Sequence, residues 1–270
     1  MVDEELELAN SARMYDYLLG GAQNFAADRE AVHAALARFP SMARSAQANR
    51  AFLRRVVRYC YRELGIRQFL DLGSGVPTVG NVHEIAQALD PTGRVVYVDH
   101  EPVAVAHARR LLADTPGVEI LQADLTDPAM VYASPEAAIL DLTEPVAVLL
   151  LSVLHFVPED RDPGGAIRAY LERLVPGSAV AISHISDDQP TEADAAPHRE
   201  VARVFAQTAS PAYLRDRTQI GALFAGHPLV APGLVDANDW HPDPSRRFDA
   251  GAPAEHPDRC GYYAGLAVIG

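Results

Sequence analysis

Short apolar segments alternate with amphipathic ones through the middle of the chain. Five of the apolar segments are predicted strands, at 67–73, 95–99, 118–124, 146–156 and 178–185. The segments between them have helical spacing, ending at Leu89 and then covering 102–113, 135–141 and 164–174. Strands that are apolar on both faces are typical of a parallel sheet covered by helices on both sides. The pattern therefore predicts a doubly wound α/β fold.

The residues before the first strand are predicted to form three helices. They cover 11–19, 28–38 and 42–64, with Asp28 as the N-cap of the second helix and Gly65 as the stop of the third. We therefore divide the chain into an N-terminal helical extension or lid, residues 1–64, and a main domain, residues 65–270.

The pattern changes after the fifth strand. A helix to about residue 209 and another at 216–225 precede two further predicted strands, at 228–235 and 261–269. An antiparallel pair at the edge of an otherwise parallel sheet is common in mixed sheets. We therefore expect a mostly parallel, seven-stranded sheet whose final strand is antiparallel.

The chain is acidic, with a net charge of −13 from 36 acidic and 23 basic residues. This charge opposes close approach to a phosphate backbone or an anionic lipid surface, so we expect neither nucleic acid nor membrane as a partner. The first ten residues lack the basic and apolar regions of a signal peptide, and no apolar run reaches the roughly 18 residues of a membrane span. Two cysteines in unrelated contexts fit a cytoplasmic protein. The oligomeric state stays open.

Glycines follow the first predicted strand in the segment DLGSGVPT at 71–78. They permit a tight turn and a close approach of a ligand to the backbone, although such a turn also occurs as a plain joint. Asp99 ends the second strand, and Asp124 with Leu125 follows the third. Carboxylates at these strand ends can accept hydrogen bonds from ribose hydroxyls and from an adenine amine. Capping of the next helix is the alternative role for both.

The composition of the glycine-containing loop distinguishes between possible nucleotide cofactors. A dinucleotide-binding loop has a third glycine that lets helix and strand pack around a pyrophosphate, whereas Thr78 occupies that position here. Asp71, two residues before the first glycine, suits a cationic amino-acid tail better than a diphosphate. The loop therefore favours a cofactor with ribose, adenine and an amino acid. A nicotinamide-dependent oxidoreductase is the less favoured alternative.

In combination, these motifs resemble the class I S-adenosylmethionine (SAM)-dependent methyltransferases. Four segments, RMYDYLLGGAQNFAADRE at 13–30, FLDLGSGVPTVGNVHEIAQ at 69–87, VVYVDHEPVAVAHARRLL at 95–112 and LLLSVLHFVPED at 149–160, are similar to a mostly actinobacterial methyltransferase family long labelled a domain of unknown function. Pro77 departs from the common class I loop, which has a third glycine there, but the family itself has the pattern GxPT.

The resemblance implies a Rossmann-like class I fold with SAM as cofactor. Within it, the segment from Asp71 to Gly75 would hold the methionine moiety, Asp99 the ribose, and Asp124 with Leu125 the adenine. The predicted cofactor-binding residues are Tyr15, Gly21, Asn24, Asp71, Gly73, Ser74, Gly75, Thr78, Asp99, His100, Asp124, Leu125 and Ser152. The first three lie in a segment that is either a lid over the cofactor or an ordinary helix and turn.

Two histidines at strand ends are candidate general bases. Methyl transfer from a sulfonium needs no covalent enzyme intermediate, so proximity and orientation can supply most of the acceleration. Where the acceptor must lose a proton, His155 after the fourth strand is the first candidate and His184 near the end of the fifth is the second. Either side chain can instead pack or hydrogen-bond within the fold.

The methyl acceptor is expected to be a small molecule, because the chain is acidic and has no basic stripe. Candidate pocket residues are Trp240, Tyr262 and Tyr263, although adjacent tyrosines in a strand point to opposite faces. Three further histidines lack cysteine or regularly spaced carboxylate partners, so no metal site is predicted at His227, His241 or His256. A non-catalytic SAM-binding protein would share the strand-end sites and is a second alternative.

Overall fold

Within the described residues, seven strands form one mixed sheet in the order β3-β2-β1-β4-β5-β7-β6. The computed structural model describes residues 8–77, 80–242 and 259–270. The strands are β1 (Gln68–Leu72), β2 (Arg94–Asp99), β3 (Val118–Gln122), β4 (Val146–Leu151), β5 (Ala179–Ile185), β6 (Val235–Asp236) and β7 (Tyr262–Val268). The first five strands are parallel, and β7 runs antiparallel to both β5 and β6. The predicted mostly parallel sheet with an antiparallel final strand is confirmed.

Helices precede the sheet and connect its strands. They are α1 (Ser11–Leu18), α2 (Ala26–Leu36), α3 (Met42–Arg62), α4 (Val82–Leu89), α5 (Pro102–Leu112), α6 (Pro128–Ala133), α7 (Pro163–Leu171), α8 (Glu192–Phe205) and α9 (Arg217–Ala222). Short 3₁₀ turns lie at Glu136–Ile139, Leu154–Phe156 and Glu159–Arg161. Among the described residues, no helix is long and apolar enough to cross a membrane.

The two faces of the sheet have separate apolar cores. On one face, α3, α4 and α5 contribute Phe52, Ile85 and Val105 to a cluster with the strands. On the other face, α6, α7 and α9 contribute residues such as Ile167 and Ile220. Every residue of β1 is buried, so the apolar side chains of this strand pack into the cores on both faces of the sheet. This arrangement confirms the doubly wound fold.

A third apolar cluster roofs the carboxyl ends of the strands. It joins Met14 of α1 and Val32 of α2 to Val201 and Phe205 of α8. By contrast, α3 buries most of its apolar face against the sheet. The boundary predicted at residue 64 stays a prediction, with α1 and α2 as the segment that packs as a roof.

Arg13 ties this roof to the sheet through a buried ion network. Its guanidinium donates to Asp28 Oδ2 through Nε at 2.8 Å and to Glu101 Oε1 through Nη1 at 2.9 Å. Arg13 is only 1% exposed. Glu101 directly follows β2 and caps α5 by accepting from the Ala104 N–H. The contact therefore anchors α1 and α2 to the end of β2.

Three details of the sequence prediction were wrong. Asp28 is not the N-cap of α2, because Phe25 occupies that position and Asp28 accepts from the Phe25 N–H at 2.8 Å. The strand predicted over 146–156 ends at Leu151, after which the chain turns. The strand predicted over 228–235 is reduced to a single bridge at Leu229 and to β6, which begins only at 235.

The buried charge of Arg13 predicts a large loss of stability for Arg13→Met. This substitution leaves two buried carboxylates without their cation, so the free energy of unfolding should fall by about 3–5 kcal/mol. Urea denaturation measures the change. The matched control is Arg38→Met at an exposed arginine, which should change stability by about 0.5 kcal/mol or less. Equal losses in the two variants would contradict the anchoring role of Arg13.

Candidate functional site

One large cleft opens at the carboxyl edge of the sheet, between the strand ends and the roof. Strand β1 has β2 on one side and β4 on the other, so the strand order reverses at the carboxyl ends of β1 and β4. Proteins with α/β sheets bind ligands at such a reversal. The cleft is partly open to solvent. Its polar half contains Asn10, Arg50, Asp71, Gly73, Ser74, Gly75, Asp99, His100 and Glu101. Its apolar half contains Phe39, Met42, Ala46, His155, Phe156, His198, Val201, Ala202, Phe205, Leu214 and Tyr262.

The glycine loop after β1 forms one wall of the polar half. Gly73 has φ +74°, and a Cβ there would lie 2.1 Å from Val153 Cγ2, so only glycine fits. Gly75 has φ +65° and donates its N–H to Asp99 Oδ2 at 2.7 Å. Asp99 thereby holds the loop against the end of β2. Thr78, also predicted to contact the cofactor, lies outside the described residues.

Asp71 and Arg50 place opposite charges in the polar half. Asp71 is 7% exposed, and burial raises the pKa of its carboxyl to about 7. The nearby Arg50 charge lowers this pKa and the Asp99 charge raises it further. Arg50 donates to Asn81 Oδ1 at 3.2 Å. An anion and a cation that line the same space suit the zwitterionic end of an amino acid.

A chain of hydrogen bonds crosses from the roof to the last strand. Asn49 donates to Tyr15 Oη at 3.0 Å and accepts from Ser183 Oγ at 2.6 Å. Ser183 Oγ in turn accepts from the Ser152 N–H at 3.0 Å, and Ser152 Oγ lies 2.8 Å from Tyr262 Oη. Ser152 adopts φ +61°, an uncommon conformation for a residue other than glycine. The structure thus brings the predicted Tyr15 and Ser152 into the cleft.

His155 lines the cleft from the 3₁₀ turn after β4. It is 4% exposed, and its Nδ1 has no hydrogen-bond partner among the described residues. Burial, together with the adjacent His184 and Arg215, lowers the pKa of His155 well below its usual value. The side chain is therefore a neutral imidazole at physiological pH and a weak base.

His184, the second predicted base, does not line the cleft. Its Nδ1 donates to the Ile185 carbonyl at 2.6 Å, and its Nε2 accepts from Arg215 at 2.9 Å. Burial lowers the pKa of His184 to about 3. Because both ring nitrogens are engaged, we assign His184 a structural role in holding Arg215 beneath the turn that carries His155.

Two predicted residues of the N-terminal segment build a turn outside the cleft lining. Asp16 Oδ2 accepts from the Gln23 N–H at 2.8 Å and from Asn24 Nδ2 at 2.9 Å. A Cβ on Gly21 would lie 1.9 Å from Asp16 Oδ1, so the carboxylate requires glycine there. This internal packing gives Gly21 and Asn24 a role within the fold, and their contact with the cofactor stays a prediction.

Of the predicted residues at the ends of the strands beyond β1, some line the cleft and others do not. His100 lines the cleft beside Asp99 and is largely exposed. Asp124 does not line it: this carboxylate is 48% exposed, pairs with Arg161 at 2.6 Å and accepts from the Thr126 N–H. Leu125 packs into the core on the second face of the sheet. Contact of Asp124 and Leu125 with an adenine stays a prediction.

The predicted acceptor residues separate by strand face. Tyr262 lines the cleft, whereas Tyr263 points to the other face and donates to the Asp188 carbonyl. Trp240 is fully buried against Phe52 and Tyr59, outside the cleft lining. No group of three potential metal-binding side chains occurs in the described part of the chain, and His256 lies outside it.

Three cleft residues were missed by the sequence analysis: Asn49, Arg50 and His198. The first two lie on α3, which had been assigned to the extension, and the third lies on α8, which had no assigned role. Ser183 was missed as well, but it donates to Asn49 and does not line the cleft. One signal was available, since polar residues within the buried face of an otherwise apolar helix, such as Asn49, are unusual.

Comparisons with known proteins agree with this geometry. A family model described as S-adenosyl methyltransferase matches residues 3–270. The chain is similar to the structure of a DUF574 family protein from Streptomyces avermitilis MA-4680, with 38% identity, 98% of this chain and 99% of that chain covered, and a TM-score of 0.88. A protein from Thermobifida fusca YX proposed to be a methyltransferase is 34% identical over 98% of this chain and 96% of that one, with a TM-score of 0.87.

A more distant likeness concerns the fold alone. The apo form of the SAM-dependent methyltransferase SibL has a TM-score of 0.51 at 15% identity, covering 84% of this chain and 56% of that chain. No curated protein shows significant similarity to the chain.

The fit of Gly73 against Val153 gives a test of the loop. Gly65→Ala introduces a residue at φ +70° with open space around it and should lose about 1–2 kcal/mol of stability. Gly73→Ala adds overlap with Val153 and should lose at least about 1 kcal/mol more. The double variant Gly73→Ala/Val153→Ala should recover that additional loss in urea denaturation. If it recovers nothing, the close contact does not explain the glycine.

Proposed function

Because the chain belongs to the S-adenosyl methyltransferase family, we propose that it transfers the methyl group of SAM to a small molecule bound in the apolar half of the cleft. It is a SAM-dependent methyltransferase of the class I fold. The observation that carries the proposal is the continuity of the two halves of the cleft. A polar half suited to the cofactor opens directly into an apolar half suited to an acceptor.

The residues of the polar half fit SAM by their chemistry. Asp71 would accept from the ammonium of the cofactor and Arg50 would donate to its carboxylate. Asp99 retains lone pairs for ribose hydroxyls while it holds Gly75 and the Glu101 N–H. The third glycine that a pyrophosphate would need is replaced in the sequence. When bound, SAM supplies a methyl group on a positively charged sulfur.

For the transfer itself, His155 acts as the general base in this proposal. Its turn follows β4, next to Ser152 and the cofactor loop, so it lies in the apolar half close to the polar half. The lowered pKa makes this neutral imidazole a weak base, which suffices because the hydroxyl of the acceptor becomes strongly acidic as it attacks the methyl group. The remaining acceleration comes from orientation of the acceptor by the enclosed walls.

A small acceptor is supported by charge and by enclosure. The net charge of −13 disfavours a nucleic acid, and the apolar half lies beneath the roof that α1, α2 and α8 form. A macromolecular acceptor would have to insert a single group under that roof.

We also propose that the enzyme works in the reducing cytoplasm. Its two cysteines, Cys60 and Cys260, are free and buried. Burial raises the pKa of Cys60 to about 12, so its thiol stays protonated and unreactive. Such thiols fit a compartment without disulfide formation.

The raised pKa of Asp71 predicts pH-dependent binding of the cofactor. Only the ionised carboxylate attracts the ammonium of S-adenosylhomocysteine, and its ionised fraction increases as pH rises through about 7. Affinity should therefore increase about tenfold between about pH 6 and pH 8. Calorimetry at several pH values measures the dependence. Asp71→Asn should bind weakly at every pH, and an unchanged slope in that variant would contradict the role of Asp71.

The class of acceptor is tested by transfer of a labelled methyl group. After incubation of the protein with a cell extract and methyl-labelled SAM, label should appear in the small-molecule fraction. Label in protein or nucleic acid would overturn the proposal. His155→Phe should reduce the transfer rate by about a hundredfold or more. The control His227→Phe, at a half-buried histidine outside the cleft, should leave it unchanged.

A further inference from the structure

The apolar half of the cleft carries no charged side chain among its described lining residues. Every Asp, Glu or Arg that lines the cleft belongs to the polar half: Arg50, Asp71, Asp99 and Glu101. The apolar half instead has three phenylalanines, Phe39, Phe156 and Phe205, arranged around two imidazoles. Ring centroids lie 5.6 Å apart for Phe156 and Phe205, and 4.8 Å apart for Phe39 and His198. Such walls favour a flat aromatic surface.

Helix α8 presents one face to this half. His198, Val201, Ala202 and Phe205 follow the spacing of one helical face, and all four line the cleft. The adjacent Arg199 instead pairs with Asp187 and Glu192, away from the lining. The charges of α8 are thus kept on the side of the helix that does not meet the acceptor.

His198 contributes a neutral ring to that face. Its Nδ1 donates to the Asp194 carbonyl at 2.9 Å, which fixes the proton on that nitrogen. Its Nε2 packs against Gly261, where a Cβ would lie 1.8 Å away. His198 is 3% exposed, and desolvation lowers its pKa, so the imidazole carries no charge at neutral pH. It therefore offers the acceptor an aromatic surface.

His155 is the polar group that an acceptor meets inside this half. Its ring lies 4.3 Å from the Phe156 ring and 6.2 Å from the Tyr262 ring, measured between centroids. Its Nδ1, like His198 Nε2, has no partner among the described residues, and a buried polar atom is stabilised when a ligand supplies one. Because His198 Nε2 faces Gly261, His155 Nδ1 is the nitrogen left for the acceptor. A charged group of the acceptor would meet no charged side chain in this lining, since Arg215 near His155 lies behind it and is paired with Glu159, and it would have to lose its hydration.

We infer that the methyl acceptor is an uncharged aromatic molecule with a hydroxyl group, its ring between the phenylalanines and α8 and its hydroxyl toward His155. This inference rests on the proposed function and specifies its substrate class. Ala202, half-buried on α8, lies beside the bound ring and is a specificity-determining position. The inference requires the uncharged form of a ligand to bind better than either ion of the same shape.

The experiment compares three probes that share one ring system and differ in charge. Naphthol, naphthoate and naphthylmethylammonium, each substituted at the same ring position, are dialysed against protein saturated with S-adenosylhomocysteine. Naphthol should bind at least about tenfold more tightly than either ion, because only the ions lose hydration without compensation. Equal or tighter binding of an ion, or no binding of naphthol, would overturn the inference.

A charge introduced on α8 tests where the ring binds. Ala202→Lys should increase naphthoate affinity about tenfold and change naphthol affinity less than about threefold. Ala202→Gln, which adds similar length without charge, should not increase naphthoate affinity. If naphthoate binds the lysine variant no better, the ring does not lie beside α8 and the inference fails.

The saturation step separates this inference from the proposed function. Calorimetry first establishes that each variant binds S-adenosylhomocysteine with the affinity of the unaltered protein, which also shows that it is folded. If the unaltered protein does not bind S-adenosylhomocysteine, the proposed function falls and the inference with it. If it binds and the probes show the wrong preference, only the inference fails.

Discussion

The burial of the Arg13 guanidinium is the interaction on which the arrangement of the cleft depends. A buried cation requires anionic partners, and here they come from two separate parts of the fold, Asp28 in the roof and Glu101 after β2. Because Arg13 donates to a carboxylate in each of these parts, the ion network ties α1 and α2 to their position over the carboxyl ends of the strands. The cleft exists because that roof is held there.

Desolvation then determines the chemistry of each half of the cleft. In the polar half, it raises the pKa of Asp71 to about 7, where the charge of a bound ligand can control ionisation. In the apolar half, it keeps His155 and His198 neutral. The same physical effect therefore provides a titratable site for a zwitterion beside an uncharged site for an acceptor. These adjacent environments suit a charged methyl donor and the uncharged acceptor that we propose.

Features that follow from the periodicity of apolar residues along the chain were predictable, and local details were less so. The apolar strands, the doubly wound sheet and the positions of Asp71 and Asp99 follow from periodicity and from the rule that ligands bind at strand ends. The end of β4 was not predictable, because the apolar run through Phe156 continues after the backbone has turned. Gly21 was assigned to the cofactor, although the Asp16 carboxylate is what excludes a side chain there.

By itself, the sequence determined the fold class, the cofactor type and the loop that approaches the cofactor, since periodicity and loop glycines express local physical constraints. The tertiary structure alone decided which polar residues meet. It placed Arg50 and Asp71 along the same cleft, engaged both ring nitrogens of His184, and brought His198 of α8 opposite Phe39. Contacts of this kind join residues far apart in the chain, and their energies depend on burial, which no local pattern records.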